Sequence, residues 1–391
     1  MSKLCINLPP IAPDYSGAAS ALFDLGGIVV MHDASGCTGN YTGFDEPRWL
    51  GSRSAVYCSG LRRMDCIMGN DQKFIDGTLE AAKSLNPTMI SYLGSPVPMV
   101  IGIDLEGMAA ETEDASGIPS FGFNTTGQHY YDKGASDVFI SLIKRFAKRP
   151  VQKAEEDSNE RKKKANVLGL LSIDMGNEQN PADICTHIEK AGYEINAKFA
   201  MGLSVEQIER VADADLNIVI AKCGLDAAQF MEKKYGIPYV CAAPVGDGAL
   251  FNKKLVGETM PECKNTGKGG VLIIHEQILA NSIRETIAQK SDVPVTVGSM
   301  YILDKRLACE QDINLPNELS IRKIVNSGDY SVIIADPQIE RLIKRDDVTF
   351  IGMPHVALSG RLYLDQYPSY LGEEMMNKIE YAVTAAESYC K

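Results

Sequence analysis

Apolar residues in this chain fall into short β-branched runs, separated by stretches in which they recur every three or four positions. A first series of runs lies at 27–32 (GIVVMH), 54–58 (SAVYC), 88–93 (TMISYL) and 118–123 (IPSFGF). A second lies at 166–172 (NVLGLLS), 216–222 (LNIVIAK) and 237–241 (IPYVC), and a third at 270–275, 293–299, 329–335 and 348–354. Runs with little polar alternation predict strands covered on both faces, as in parallel sheets. Between them, residues 180–191, 225–235 and 276–289 have helical spacing, and a last helix is expected over 371–389. Strand, helix, strand in succession is the βαβ pattern.

Two seams divide the series. Residues 151–164 (VQKAEEDSNERKKK) are densely charged and lack aromatics, and 264–270 (KNTGKGG) is rich in turn formers. A chain of 391 residues also exceeds one ordinary core. The expected architecture is α/β, with three doubly wound, Rossmann-like domains built on parallel sheets: 1–150, a charged linker at 151–165, then 166–266 and 267–391, the last ending in a helix.

Composition narrows the function. The net charge is −12 and no aromatic-interleaved basic stripe occurs, which argues against nucleic acid as partner. No apolar run approaches the ~20 residues of a membrane span, and MSKLCINLPPIAPDYSG has no apolar core of a secretory signal. A cytoplasmic protein is expected, in which ten cysteines stay reduced. None forms CxxC, which disfavours zinc ribbons, thioredoxin chemistry and ferredoxin-type runs. No GxGxxG follows a strand, and Gly267-Lys268-Gly269 lacks the spacing and the Ser/Thr of a P-loop, so the chain is expected to bind neither ATP nor NAD.

The most informative stretch is 32–71, HDASGCTGNYTGFDEPRWLGSRSAVYCSGLRRMDCIMGND. Cys37 follows a predicted strand between Gly36 and Thr38-Gly39, at the carboxyl end where open α/β sheets place ligands. Small flanking residues let a cluster approach, and free amides there would hydrogen-bond sulfur and favour the thiolate. A buried thiol on a turn is the plainer alternative. Cys58 closes the next strand, so both sulfurs are expected on one sheet edge; Cys66 precedes an apolar helix and ranks behind them.

These residues carry a family resemblance. The order GAASALFDLGGIVVMHDASGC, CSGLRRMDCIMGNDQKFIDG, PTMISYLGSPVPMVIGIDLEGMAAE and IPSFGFNTTGQ resembles the N-terminal part of nitrogenase component 1 subunits. His32 five residues before Cys37, Asp65 with Met68-Gly69, Ile101-Gly102 with Asp104-Leu105, and Pro119-Ser120-Phe121 with Thr126-Gly127 occupy the family's places. MEKKYGIPYV and FIGMPH resemble its later motifs. The resemblance implies a homodimer or heterodimer with a related subunit, an iron–sulfur cluster at the interface, and an ATP-hydrolysing, iron-protein-like reductase as electron donor. Of the three cysteines that each subunit gives to the family's large cluster, the first falls near Pro13 and the third near Pro96, and only Cys37 remains. A [4Fe–4S] cluster is therefore expected, with Cys37 and Cys58 from each of two subunits as ligands. Cys5 could swing in, and Ser120 stands at a family serine that approaches the cluster.

The family also holds a substrate or catalytic cofactor in a cleft among its domains. The cysteine and histidine that hold that cofactor in nitrogen-reducing members fall near Ile220 and Ser359, which argues against an iron–molybdenum cofactor held in the usual way. Cys223 and His355 lie near enough to serve a different bound group, and with His129 they are the catalytic candidates. A strand-end core thiol and a backbone-bonded loop histidine are the plainer readings. Arg62-Arg63 and Tyr130-Tyr131 could line the cleft, whose occupant could be a small molecule or a tetrapyrrole. The leading expectation is the catalytic component of an ATP-coupled reductase. A scaffold for metallocofactor or tetrapyrrole assembly comes second, and a binding protein without a redox centre third.

Overall fold

The computed structural model describes residues 5–49, 54–150, 161–261, 269–299 and 303–389. The α/β expectation holds, with three all-parallel sheets in chain order. The first has the order β2-β1-β3-β4, from β1 (Ile28–Met31), β2 (Ala55–Cys58), β3 (Ile90–Leu93) and β4 (Ser120–Phe123). The second repeats that order as β6-β5-β7-β8, from β5 (Lys163–Leu170), β6 (Tyr193–Ala200), β7 (Leu216–Val219) and β8 (Tyr239–Cys241). The third runs β11-β10-β9-β12-β13, from β9 (Gly270–Ile274), β10 (Val295–Ser299), β11 (Ile313–Asn314), β12 (Tyr330–Ala335) and β13 (Thr349–Gly352). Each order reverses direction beside its first strand, the switch point at whose carboxyl ends such sheets form crevices.

Each sheet with its helices forms a lobe. Most of the charged stretch expected as a linker lies outside the described residues, and β5 has already begun at Lys163. The turn-rich segment before the third sheet, including Gly267-Lys268, also lies outside them. Two strands escaped the sequence reading. β11 is only two residues long, and β6, at a sheet edge, alternates Glu194, Asn196 and Lys198 with apolar positions, unlike the all-apolar runs. Among the described residues, no helix is long and apolar enough to cross a membrane.

Helices α1 (Asp14–Leu22) and α7 (Tyr131–Phe146) fix the floor of the first lobe. α1 is almost entirely small or apolar and wholly buried. Their backbones touch: a Cβ at Gly17 would sit 1.8 Å from the Tyr131 carbonyl oxygen, and one at Gly134 would sit 1.8 Å from that of Asp14. A methyl group on a helix interior normally adds about 1 kcal/mol of stability over glycine. Here overpacking dominates, and Gly17→Ala is expected to lower stability by about 1–3 kcal/mol. Denaturant unfolding at or above parental stability would contradict this contact.

Candidate metal centre at the rim of the first sheet

The two cysteines predicted to share a sheet edge do so. β1 and β2 are hydrogen-bonded neighbours with Met31 opposite Cys58, so Cys58 marks the carboxyl edge over which the segment after β1 passes. That segment is organised by Asp33. Its carboxylate accepts the amides of Ser35 (3.0 Å) and Thr38 (3.1 Å) and the Thr38 hydroxyl (3.3 Å). Its carbonyl accepts the Cys58 thiol at 3.3 Å and the Leu61 amide at 2.8 Å. Ser35 takes the unusual φ of 132° to turn the chain into the short helix α2 (Gly36–Asn40), which carries Cys37. The expected bare loop is thus a helical turn.

The Cys37 thiol is half-buried and hydrogen-bonds with the hydroxyls of Tyr15 and Ser95 and with Asp33. Burial pushes its pKa up and Asp33 adds to the rise, while the two hydroxyls oppose it. The sulfur is thus held as a thiol, and iron would have to displace its proton on binding. The amides of Ser35 and Thr38 are bonded to Asp33, and Gly60 donates its amide to Cys58 Sγ at 3.3 Å.

Tyr15 and Ser95 were not picked out from sequence, although their numbers hold the signal. They stand two residues after Pro13 and one before Pro96, the two places where the resemblance puts absent cysteines. In space both reach Cys37. Ser120 is not brought there: it opens β4 at the amino end of the sheet, and its hydroxyl donates to the Ile118 carbonyl at 2.9 Å. The serine that reaches Cys37 is Ser95. Cys66 lies within α3 (Arg63–Met68) against the apolar core, and Cys5 is exposed beside the N-terminal segment clasped by Glu318. Arg62 and Arg63 lie on the exposed surface rather than lining a cleft; Arg62 caps α3, and Asp65 pairs with Lys73 at 3.1 Å.

Two observations bear on whether a cluster fits at this rim. Cβ atoms built at Gly36, Gly39 and Gly60 meet nothing within 4 Å, so the approach to both cysteines is clear. Around them, α3 and α5 (Pro96–Val100) expose Met64, Ile67, Met68, Val97 and Val100, the last at 86%. Among the described residues, no three His, Cys, Asp or Glu side chains of one chain are grouped to hold a metal ion. The thiols of Cys37 and Cys58 are the sulfur donors at this rim.

The other predicted residues meet at a second place. Cys223, beyond β7, and His355, beyond β13, are each 1% exposed and face one carboxylate, Asp174, which lies beyond β5. The Cys223 thiol donates to Asp174 Oδ2 at 3.4 Å, and His355 Nε2 lies 3.4 Å from Oδ1. Ile220 and Ser359 are buried beside them. Among the described residues these side chains are not grouped to hold a metal ion; thiol and imidazole both face the carboxylate. His129 stands apart, exposed on a cleft of about 440 Å³ with Asp132, Lys222, Asp226, Asp304 and Arg306.

Three lobes built on parallel α/β sheets, with two cysteines at the carboxyl edge of the first, define the class of protein. The chain belongs to the nitrogenase component 1 type oxidoreductase family, which it matches over residues 13–249. It is 30% identical over 201 residues to the nitrogenase molybdenum–iron protein alpha chain of Clostridium pasteurianum, a stretch covering 50% of this chain and 35% of that one. It is 27% identical over 224 residues to the iron–molybdenum cofactor biosynthesis protein NifE of the same organism, covering 54% and 45%. With a subunit of the light-independent protochlorophyllide reductase of Chlorella vulgaris it shares 26% over 201 residues, covering 49% and 38%. The matched part is less than half the length of each relative. The fold superposes on nitrogenase Cp1 with a TM-score of 0.68 at 16% identity, over 100% of this chain and 91% of that one.

Proposed function

We propose that this chain is the catalytic component of a nitrogenase-like, ATP-dependent reductase. In this reading it pairs with a second copy or a related subunit through the rim of the first lobe. Cys37 and Cys58 of each partner hold a [4Fe–4S] cluster between them, and an iron-protein-like ATPase delivers electrons to it. The observation that carries the reading is the exposed apolar collar of α3 and α5 around two cysteines with open space above them. Apolar surface of this kind marks an interface rather than a solvated face.

A bound cluster would supply low-potential, one-electron transfer. The chain's own residues set its surroundings. Tyr15 hydrogen-bonds to the Cys37 sulfur, and a donor there raises the potential of a sulfur-ligated centre relative to bare thiolate ligation, while the Ser95 hydroxyl beside it donates to the His32 carbonyl at 3.0 Å. Met64, Ile67 and Val100 exclude water from the interface, and Asp33 holds the two cysteine segments in register. The substrate, a small molecule or a tetrapyrrole, would bind between the lobes.

The second reading, a scaffold for metallocofactor or tetrapyrrole assembly, is favoured by the likeness to NifE. The two part on one experiment: mix the anaerobically purified protein with a reduced iron-protein-like partner and follow its visible absorption. Bleaching of the cluster that requires ATP supports the reductase. Brown protein that the partner never reduces, but that passes a metal centre to an acceptor, supports the scaffold. Colourless, iron-free protein would refute both.

A further inference from the structure

Asp174 is placed so that all three lobes hold its side chain. Tyr131, at the head of α7 in the first lobe, donates its hydroxyl to Oδ1 at 2.5 Å. Cys223 of the second lobe donates to Oδ2. His355 of the third accepts the Ala357 amide on Nδ1 at 3.1 Å, which leaves its ring proton on Nε2, facing Oδ1 at 3.4 Å. Tyr367 and Tyr370, also of the third lobe, each donate to the Asp174 carbonyl at 2.6 Å.

A second carboxyl is buried alongside. Glu276, beyond β9, accepts the amides of Lys222 at 2.9 Å and Leu279 at 2.8 Å, and it acts electrostatically on Asp174. His275 packs edge-on against His355 with 4.9 Å between ring centres, and burial holds both imidazoles neutral. Asp336 faces the same corner from behind, accepting the His355 amide at 2.8 Å. The nearby opposite charges, Lys222 and Asp132, are spent on each other at 2.7 Å. Lys222 also acts on Asp174 electrostatically, but the side chains that face its carboxylate directly, Tyr131, Cys223 and His355, are uncharged. Two carboxylates this deep, without a cation of their own, do not both ionise.

We propose that the buried pair Asp174 and Glu276 carries one proton at neutral pH, and that its loss, which leaves two charges at the junction, loosens the three lobes from one another. Burial pushes both carboxyls up, to about 7. The folded chain then binds more protons than the unfolded one between the ordinary carboxylate range and neutrality. Stability falls as pH rises through that window, and the loss is complete only above it. The proposal does not depend on the cluster at the rim.

Two measurements test it. Infrared spectra at pH 7 are expected to show a deuterium-sensitive C=O band of a buried protonated carboxyl, lost in the Asp174→Asn, Glu276→Gln double variant. Thermal unfolding of the parent is expected to lose several degrees as pH rises from about 5 to about 8.5, whereas Asp174→Asn should flatten that slope. Tyr131→Phe removes a donor that favours the ionised Asp174 without removing a titrating group, so it should lower Tm and keep or steepen the slope. If Asp174→Asn does not fold, Glu276→Gln and the parental infrared band carry the test. A parent without the band, or an Asp174→Asn variant with the parental slope, overturns the proposal.

Discussion

Cys37→Ala is expected to strip essentially all iron and visible absorption from the anaerobically purified protein while leaving a folded chain. Cys37 is a partly exposed side chain at the sheet rim that packs on the edge of the core and hydrogen-bonds with two hydroxyls and a carboxylate. Losing one partly exposed sulfur costs the apo fold about 1 kcal/mol. In a two-fold dimer the same substitution removes two of four thiolates, and a [4Fe–4S] centre does not survive on the remainder. Cys66→Ala is the internal control. Its sulfur packs against the core of the first lobe, so iron content should stay parental. Full iron in Cys37→Ala would move the metal elsewhere and end the proposed assignment.

The largest purely structural effect is expected at Arg48. Its guanidinium reaches Glu46 through two nitrogens at 2.8 and 3.0 Å and Asp24 at 2.9 Å, and it lies over the Phe23 ring at 4.1 Å. Glu46 is fully buried, and it also accepts the hydroxyls of Ser20 and of Ser172 in the second lobe, each at 2.9 Å. Its carbonyl receives Arg361 of the third lobe at 2.6 Å. Arg48→Ala leaves that carboxylate uncompensated in the interior, for which about 3–5 kcal/mol is the usual penalty. Arg48→Lys should recover only part, since one ammonium cannot replace the two-pronged contact or the ring stacking. Removing the acid as well, in an Arg48→Ala, Glu46→Gln variant, should restore much of the loss. Denaturant unfolding of the four proteins measures this, and a loss under about 1 kcal/mol in Arg48→Ala would mean that the pair contributes little.

The sequence carried the sheets well where strands are buried on both faces, as at 27–32 or 270–275, because a run of β-branched residues has few other uses. It carried β6 poorly. Residues such as Asn196 look like surface positions, yet Asn196 is drawn inside to donate to Asn166 at 2.8 Å and to the Arg210 carbonyl at 2.9 Å, a network invisible from one strand alone. The placement of Cys37 and Cys58 was legible because a strand end is a local property. The company Cys37 keeps was not, since Tyr15 and Ser95 come from α1 and from the end of β3 and meet it only through tertiary packing. Ser120 was misplaced for a related reason: a motif gives the position along a strand but not which end faces the site.

Asp174 shows the limit most clearly. In SIDM it is one acid among 51 acidic residues, and nothing local marks it. It becomes a junction only because three sheets of the same construction point their carboxyl ends at one another. Cys223 and His355 stood out in the sequence as catalytic candidates, but not the carboxylate that both of them face.

The most direct test of the proposed interface centre is native mass spectrometry of the anaerobically reconstituted protein. The account predicts a dimer whose mass exceeds twice that of the apo chain by one cluster of about four irons and four sulfides, bound only in the dimer. A cluster retained by the monomer, or a dimer that forms and carries no iron, would contradict it.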